Sequence, residues 1–398
     1  MLPRASWSWV VFGLVLPVAA CGDTSSGSDG GGGEGGSGST TSTGGPATSG
    51  TNGTGTTGTG ATSSTGTGGN TQGLVPVFVA QGHLGRLMVS CDDGHTFVAN
   101  QSADDAEECW GSDGVPDCDH SPWAGRGLAF GAGAFVATFG WGYPGVLRRS
   151  TDGATWSDVW MEQPTFADIA FGNGKFVANN SPTWISTDGT AWEEGGDLGL
   201  NVGNVRAIEF VPHGGGLFVV TGESGSDRDI VMSPDGVTWT HPTTRPEACG
   251  SYVLGITYGA GTIAIFSGNG SVCTSTDGGD NWSLQQVGGS FSSPGVWTGS
   301  EFFAYEGATL HRSADGQTWT EETVDPPDIR IGALARSDTG TFVAHKDAWE
   351  GWYDEQEMYR STDGLTWERL PAGAFVPSHP INFIQFGYAE PSAVCPLP

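Results

Sequence analysis

Positive charge is scarce in this sequence. Its 398 residues include 15 Lys and Arg against 44 Asp and Glu, which gives a formal net charge of −29. Because so acidic a chain repels phosphate backbones, we exclude nucleic acid as a partner. The sequence also has no C-x-x-C pair and no H-E-x-x-H, and its eight His are scattered. We therefore predict no zinc site.

The apolar run at the N-terminus, Trp7 to Val15, is too short to span a bilayer comfortably. With Arg4 before it, this run predicts a signal peptide over residues 1–20. The segment that follows, Val18-Ala-Ala-Cys21-Gly22, resembles a bacterial lipobox. The resemblance implies that Cys21 becomes the lipidated first residue of the mature protein, with enough acyl chains for stable anchoring. The alternative is ordinary cleavage that leaves a free Cys21.

Residues 21–73 consist almost entirely of Gly, Ser and Thr after the cysteine. This composition predicts a disordered tether with a reach of about 40 Å. We expect the tether to hold a folded head, residues 74–398, away from a membrane. Localisation is then the bacterial cell envelope, as a lipid-anchored protein of the outer membrane that faces the periplasm or the cell surface.

The head contains seven copies of one short pattern, a Ser, any residue, an Asp, a Gly and then an aromatic, which we call the Ser-x-Asp repeat. The copies begin at Ser90, Ser150, Ser186, Ser233, Ser275, Ser313 and Ser361. Their acidic residues are Asp92, Asp152, Asp188, Asp235, Asp277, Asp315 and Asp363, and their aromatics are Phe97, Trp156, Trp192, Trp239, Trp282, Trp319 and Trp367.

The chemistry of the repeat predicts a tight turn. The Asp accepts backbone hydrogen bonds, the Gly takes a positive φ, and the aromatic begins the returning strand and buries its ring. A metal or acid–base array is the alternative role for the aspartates. Catalysis needs groups that converge on one reacting atom, whereas repeated turns separate them. We therefore predict a structural role.

The Ser-x-Asp repeat resembles the Asp-box, or BNR repeat, whose pattern is S-x-D-x-G-x-T-W. Ser90 to Phe97 fits it fully and Ser275 to Trp282 nearly so, while five copies lack one residue before the aromatic. In families that carry this motif it joins the third and fourth strands of β-propeller blades. The repeat chemistry of residues 74–398 resembles that of photosystem assembly factors and sortilin-type receptors.

Between the repeats, segments such as Gly127 to Ala137 and Asp168 to Ala178 show two apolar runs joined by a Gly-x-Gly turn. They predict a second hairpin, and hence four antiparallel strands per unit with a period of about 45 residues. We predict an all-β, seven-bladed β-propeller. Its first unit lacks a first strand, and Ile381 to Tyr388 supplies one that closes the ring.

Six cysteines follow Cys21, which in an exported chain predicts disulfides. They are Cys91, Cys109, Cys118, Cys249, Cys273 and Cys395. Cys109 and Cys118 share one loop, and Cys249 and Cys273 share one blade. Cys395 follows the strand expected to return to the blade that holds Cys91. The sequence alone leaves the pairing open.

The long insertions are predicted to lie on one side of the propeller, where binding residues usually occur. One of them, residues 103–119, is rich in acids. It could hold Ca²⁺ or be a solvated loop closed by a disulfide. Two others carry aromatics suited to a glycan or a protein ligand, or to packing of the loop on its blade. These aromatics are Trp349, Trp352, Tyr353, Trp141 and Tyr143.

Arg126 and Arg206 are predicted at the starts of inner strands, with Arg330 near the corresponding place in a later blade. Sialidases combine Asp-box propellers with three ligand-binding arginines. This chain lacks their Phe/Tyr-Arg-Ile-Pro motif and an assignable Tyr–Glu pair, and we assign no catalytic residue. We predict a non-enzymatic protein- or glycan-binding or assembly module without a cofactor. The alternative is a glycan-active enzyme of the sialidase or glycosidase type.

Overall fold

A computed structural model of the chain describes residues 71–82, 85–101, 125–140, 145–162, 164–200, 204–224, 227–346, 356–377 and 381–397. Within these ranges the chain consists of β-strands, turns and a short 3-10 segment at His213–Gly215. None of the helical residues in these ranges forms a segment long and apolar enough to cross a membrane.

The strands follow one another along the chain in groups that correspond to the repeats. The first eleven strands are β1 (Val75–Gly82), β2 (Leu87–Ser90), β3 (Val98–Gln101), β4 (Gly125–Gly131), β5 (Ala134–Phe139), β6 (Gly145–Ser150), β7 (Ser157–Glu162), β8 (Ile169–Gly172), β9 (Lys175–Ala178), β10 (Trp184–Ser186) and β11 (Glu193–Glu194). The next seven are β12 (Asn204–Val211), β13 (Leu217–Ser224), β14 (Asp227–Ser233), β15 (Val253–Gly259), β16 (Thr262–Ser267), β17 (Ser271–Ser275) and β18 (Ser283–Gln286). The last nine are β19 (Val296–Trp297), β20 (Phe302–Glu306), β21 (Thr309–Ser313), β22 (Thr320–Thr323), β23 (Ile331–Arg336), β24 (Phe342–Lys346), β25 (Met358–Ser361), β26 (Glu368–Arg369) and β27 (Ile381–Ala389).

These strands form seven antiparallel sheets, one for each Ser-x-Asp repeat. From the inside outward, the strands of each sheet are called A, B, C and D. The A strands are β27, β4, β8, β12, β15, β19 and β23, numbered as blades 1 to 7. Each A strand packs beside the A strand of the next blade, and β27 lies between β23 and β4, so the ring is complete. The fold is a seven-bladed β-propeller.

The first blade joins the two ends of the folded segment, as the sequence predicts. Strand β27 pairs with β1 along its length, from Val75 opposite Ala389 to Gly82 opposite Ile381. A disulfide between Cys91 and Cys395 links the same blade covalently. A second disulfide joins Cys249 to Cys273, whereas Cys109 and Cys118 lie outside the described residues. The ring is therefore closed by a shared sheet and by a covalent bond.

The Gly-x-Gly segments form two-residue A–B turns in three blades. Ala132–Gly133, Asn173–Gly174 and Ala260–Gly261 all have positive φ at both positions. This conformation is that of a type I′ turn, whose twist matches that of the flanking strands. The second glycine of each motif is therefore required by its backbone conformation.

The glycine that ends each of several A strands has a different role. A Cβ placed on Gly131 would lie 1.9 Å from the Phe171 ring, and one on Gly172 would lie 1.9 Å from the Phe210 ring. Phe171 of blade 3 thus packs over the glycine of blade 2, and Phe210 of blade 4 packs over the glycine of blade 3. Since a side chain would occupy the space of the ring, these glycines set the spacing between neighbouring blades.

Blade 4 differs from the prediction of four strands, because it has only β12, β13 and β14. After the aromatic of its repeat, Thr240 makes only an isolated bridge to Met232. Pro242 and Pro246 follow, and neither can donate a hydrogen bond to a β-ladder. The place of strand D is taken instead by an irregular segment, in which Arg245 Nη2 donates to the carbonyl of Arg228 at 2.7 Å.

Candidate ligand-binding site

The seven Ser-x-Asp turns share one hydrogen-bond pattern. In each, the Ser Oγ accepts from a turn glycine N–H, at 2.8–3.0 Å, and donates to the Asp Oδ1. The Asp accepts a backbone N–H from the residue before the aromatic. Each carboxylate therefore bonds within its own turn and does not converge with the other six.

All seven turn aspartates have a pKa below the ordinary value. At Asp92, Asp152 and Asp363, burial would raise the pKa, but hydrogen bonds to the carboxylate outweigh this effect. At the other four, the hydrogen bonds are the largest influence on the pKa. The turns thus stabilise ionised carboxylates.

The predicted aromatic site residues all belong to loops outside the described ranges. Trp141, Tyr143, Trp349, Trp352 and Tyr353 lie outside the described residues, as do Cys21 and the acidic loop 103–119. Within the described part of the chain, no group of three or more His, Cys, Asp or Glu side chains is arranged to share a metal ion.

Arg126 and Arg206 lie on the side of the propeller that carries the B–C and D–A connections, here the loop-rich side. They occupy the starts of β4 and β12, in blades 2 and 4. Both line one cavity of about 180 Å³. Its other described lining residues are Gly140, Thr165, Phe166, Ala167, Asn179, Asn180, Asn204 and Val205. The structure thus brings the two predicted arginines to one site, whereas Arg330 precedes β23 in blade 7 and does not line it.

Asp168, immediately before β8, lies beside this cavity and joins three blades. Its Oδ1 accepts from its neighbour Ile169 N at 2.8 Å, and its Oδ2 accepts from Ile208 N in blade 4 at 3.2 Å. In blade 2, a Cβ on Gly127 would lie 2.1 Å from Asp168 Oδ1. Only glycine therefore allows the carboxyl group to approach β4 so closely.

Burial governs the ionisation of the groups around Asp168. Burial raises the pKa of Asp168 to about 7, against the opposing effects of its two backbone hydrogen bonds and Arg126. Burial, and then the nearby Asp168, raise the pKa of Glu209 well above its usual value. The pKa of Arg126 falls to about 10, chiefly through burial. Burial thus disfavours the charged forms of Asp168, Glu209 and Arg126.

Arg206 is oriented by a buried carboxylate of the same blade. Glu223 Oε1 lies 2.5 Å from Arg206 Nη2, and its Oε2 lies 3.4 Å from Arg228 Nε. The side chain of Glu223 is 11% exposed and that of Arg206 is 33% exposed. The guanidinium of Arg206 is therefore held firmly but still reaches solvent.

Sequence reasoning identified the two arginines but missed Asp168, Glu209 and Glu223. Asp168 stands directly before the apolar run Ile169 to Phe171 in blade 3, and Gly127 stands directly before the matching run in blade 2. This pairing of a carboxylate with a glycine in consecutive units is the one signal that points to Asp168. Contacts between blades 2, 3 and 4 bring these residues to the arginine cavity. Such contacts leave no pattern in the local sequence.

No protein-family model matches the sequence, and no curated protein matches it. Similar solved structures include virginiamycin B lyase from Staphylococcus aureus, at 15% identity over 67% of this chain and 91% of that chain, with a TM-score of 0.50. YCF48 bound to a D1 peptide is 18% identical over 67% of this chain and 85% of that chain, with a TM-score of 0.48. The computationally designed protein Ika8 is 12% identical over 76% of this chain and 85% of that chain, with a TM-score of 0.49. At 15% identity, the likeness to virginiamycin B lyase shows a shared β-propeller fold and nothing further.

Proposed function

We propose that this chain is an exported, lipid-anchored protein whose propeller, with Asp-box turns between strands C and D, is a non-enzymatic binding or assembly module. Its ligand is a protein or glycan that carries an anionic group, held by Arg126 and Arg206 on the loop-rich side. The observation that carries this proposal is the cavity that these two guanidiniums share. In a chain with a net charge of −29, such a cationic cavity favours anions at one defined place.

The lining of the cavity supports binding rather than turnover. Its described residues include amide and hydroxyl side chains, but no carboxylate, His or Cys. A glycosidase requires two carboxyl groups on opposite sides of the scissile bond. The nearby Asp168 accepts hydrogen bonds from two backbone N–H groups. These bonds give its carboxyl group a structural role.

The experiment is a binding screen of the full chain in detergent against glycans and envelope proteins, with a parallel assay for released sugar. We expect carboxylated ligands to bind without turnover, and Arg126→Gln or Arg206→Gln to weaken them about tenfold or more, as expected for a charge-assisted hydrogen bond. Arg369→Gln is the matched control, because this arginine lies on the outer strand β26. Equal binding by all three variants would contradict the proposal.

The same screen tests the loop aromatics. Replacing Trp349 and Trp352 with Ala weakens binding if these side chains contribute to the ligand-binding surface, as the sequence suggests. Binding unchanged by both substitutions would restrict the site to the cavity.

One observation favours the alternative of a glycan-active enzyme. Asp168 has a pKa raised to about 7, and it lies close enough to Glu209 to raise the pKa of that residue in turn. Such a pair suits general acid catalysis. Release of sugar that Asp168→Asn or Glu209→Gln abolishes would establish the enzyme and refute the binding module.

The lipid anchor has a test of its own. If Cys21 is lipidated, the protein fractionates with membranes, and Cys21→Ala transfers it to the soluble fraction. Membrane association that survives Cys21→Ala would refute the anchor and leave the ligand site unaffected.

A further inference from the structure

Tyr252 is an exposed aromatic residue in an unfavourable backbone conformation on the loop-rich side. Its φ is +47°, in the left-handed region that bulky residues rarely adopt. The residue is 66% exposed, so core packing does not explain why a large ring stands here. Strain of this kind persists where the surroundings impose it, and it is concentrated at functional sites.

The surroundings of Tyr252 connect it directly to the arginine cavity. Its backbone N–H donates to Glu223 Oε2 at 3.3 Å, and its carbonyl accepts from Gly268 N at 2.8 Å. Glu223 is the carboxylate that holds Arg206 at 2.5 Å. Arg228, which Glu223 also contacts, has its guanidinium carbon 5.9 Å from the centre of the Tyr252 ring. One buried carboxylate thus positions both the cavity arginine and the exposed ring.

The position of Tyr252 in the fold brings it to the same side as the cavity. It immediately precedes β15, the A strand of blade 5. Arg126 and Arg206 stand near the starts of the A strands of blades 2 and 4. These three residues therefore lie at the same end of the inner strands, in blades 2, 4 and 5.

We propose that Tyr252 is a stacking platform that extends the arginine cavity, and that the ligand is an oligosaccharide carrying a carboxylate. This inference rests on the proposed binding of an anion at Arg126 and Arg206. The carboxylate of one sugar enters the cavity, and the ring of the next sugar lies on Tyr252.

The chemistry of the lining favours a saccharide over a protein partner. Asn179, Asn180, Asn204 and Thr165 offer amide and hydroxyl groups that suit sugar hydroxyls. A small polar cavity, with Tyr252 as the exposed aromatic ring that the described residues place on the same side, suits a sugar chain, whose C–H faces pack on aromatic rings. A protein hot spot would place several apolar anchors together in a desolvated patch.

The test compares galacturonic acid with digalacturonate, using the full chain and titration calorimetry. Tyr252→Gly removes the ring and relieves the left-handed backbone, so a folding defect is not expected from it. Ala260→Gly is the matched control, because it relieves a φ of +49° in the A–B turn of the same blade without removing a ring. We expect Tyr252→Gly to weaken digalacturonate about three- to tenfold, with Tyr252→Phe and Ala260→Gly unchanged.

The outcomes separate this inference from the proposed function. If digalacturonate weakens and galacturonic acid does not, Tyr252 is a stacking platform. If Tyr252→Gly leaves digalacturonate unaffected while Arg126→Gln weakens it, the platform is refuted and the anion site stands. If acidic peptides bind in an Arg126-dependent manner and neither sugar does, the saccharide is refuted and the anion site again stands. If no anionic probe depends on Arg126 or Arg206, both proposals fail.

Discussion

At the scale of single residues, the same kind of side chain has opposite ionisation behaviour in two places. The seven turn aspartates have lowered pKa values because hydrogen bonds favour the carboxylate form. Asp168 accepts two such bonds as well, but its burial is the larger effect and raises its pKa to about 7. The turn aspartates therefore favour folding when ionised, whereas Asp168 favours folding when protonated.

The pH dependence of stability should reveal Asp168. Between about pH 4 and pH 7, the folded state keeps a proton on Asp168 that the unfolded chain has lost. The contribution of Asp168 to the free energy of unfolding is thus highest below about pH 4. It falls as the pH rises to about 7 and is constant above that. Urea unfolding should show that the free energy of unfolding declines from pH 4.5 to pH 8. The decline should be smaller in Asp168→Asn than in the unmodified chain.

Asp152→Asn is the control for this experiment. Its lowered pKa makes a contribution that is present above about pH 4 and lost on further acidification. The substitution should therefore reduce stability at neutral pH without changing the slope between pH 5 and 7. If Asp168→Asn and the unmodified chain have the same slope, the assigned pKa of Asp168 is wrong.

Gly131 provides a second prediction at this scale. A Cβ on this residue would overlap the Phe171 ring at 1.9 Å, so Gly131→Ala should cost about 1–3 kcal/mol in the free energy of unfolding. Chemical denaturation measures this cost. In a Phe171→Ala background the overlap is absent, and the added Cβ should cost much less. Equal costs in both backgrounds would mean that the ring does not occupy this space.

At the scale of strands and turns, the sequence predicted most of the arrangement. Repetition made the assignment secure, because one local pattern of Ser, Asp, Gly and an aromatic occurs seven times. The role of Gly131 escaped prediction, since Gly131 and Gly133 look alike in sequence. Gly133 adopts a positive φ, whereas Gly131 accommodates a ring from the next blade.

The missing fourth strand of blade 4 also escaped prediction, although Pro242 and Pro246 are visible in the sequence. The repeat ahead of them is intact, so a full blade was expected. What the segment does instead depends on contacts with residues far away in sequence. Arg245 Nη2, for example, bonds to the carbonyl of Arg228.

The two disulfides should contribute differently to stability. Cys91–Cys395 spans 304 residues and Cys249–Cys273 spans 24. Loop-closure entropy in the unfolded chain gives about 6 kcal/mol for the long loop and about 3 kcal/mol for the short one. Replacing Cys91 and Cys395 with Ala should therefore lower the free energy of unfolding more than replacing the other pair.

Hydrogen exchange gives a local measure of the same prediction. Without the Cys91–Cys395 bond, the amides of β1 and β27 should exchange faster than those of blade 5, because only hydrogen bonds and packing then close the ring. Faster exchange in blade 5, or no change anywhere, would show that the shared sheet of blade 1 does not depend on this bond.

At the scale of the whole molecule, ring closure determines the site. Arg126 and Arg206 are 80 positions apart in the numbering, and they line one cavity because their A strands lie on either side of β8. The sequence predicted that each arginine begins an inner strand. Their convergence follows from the order and curvature of the blades, which no local pattern encodes.

The negative net charge of the chain makes this pair of arginines a distinct place for an anion to bind. In a chain with an excess of acidic residues, Arg126 and Arg206 line one cavity, and Glu223 orients Arg206 there. Affinity for an anion should therefore be local, and it should weaken as salt concentration rises. The loop-rich side is the part of the scaffold where this affinity can select a partner.

The measurement that tests the central claim most directly is a double-mutant cycle on Arg126 and Arg206, using calorimetric titration with the carboxylated ligand that binds best in the screen. If both guanidiniums hold one anion, each Arg→Gln variant loses about tenfold or more in affinity, and the two losses are coupled by about 1 kcal/mol. Urea unfolding confirms that the variants are folded. Affinities no lower than that of Arg369→Gln would contradict the account, because the cavity would then not be where the ligand binds.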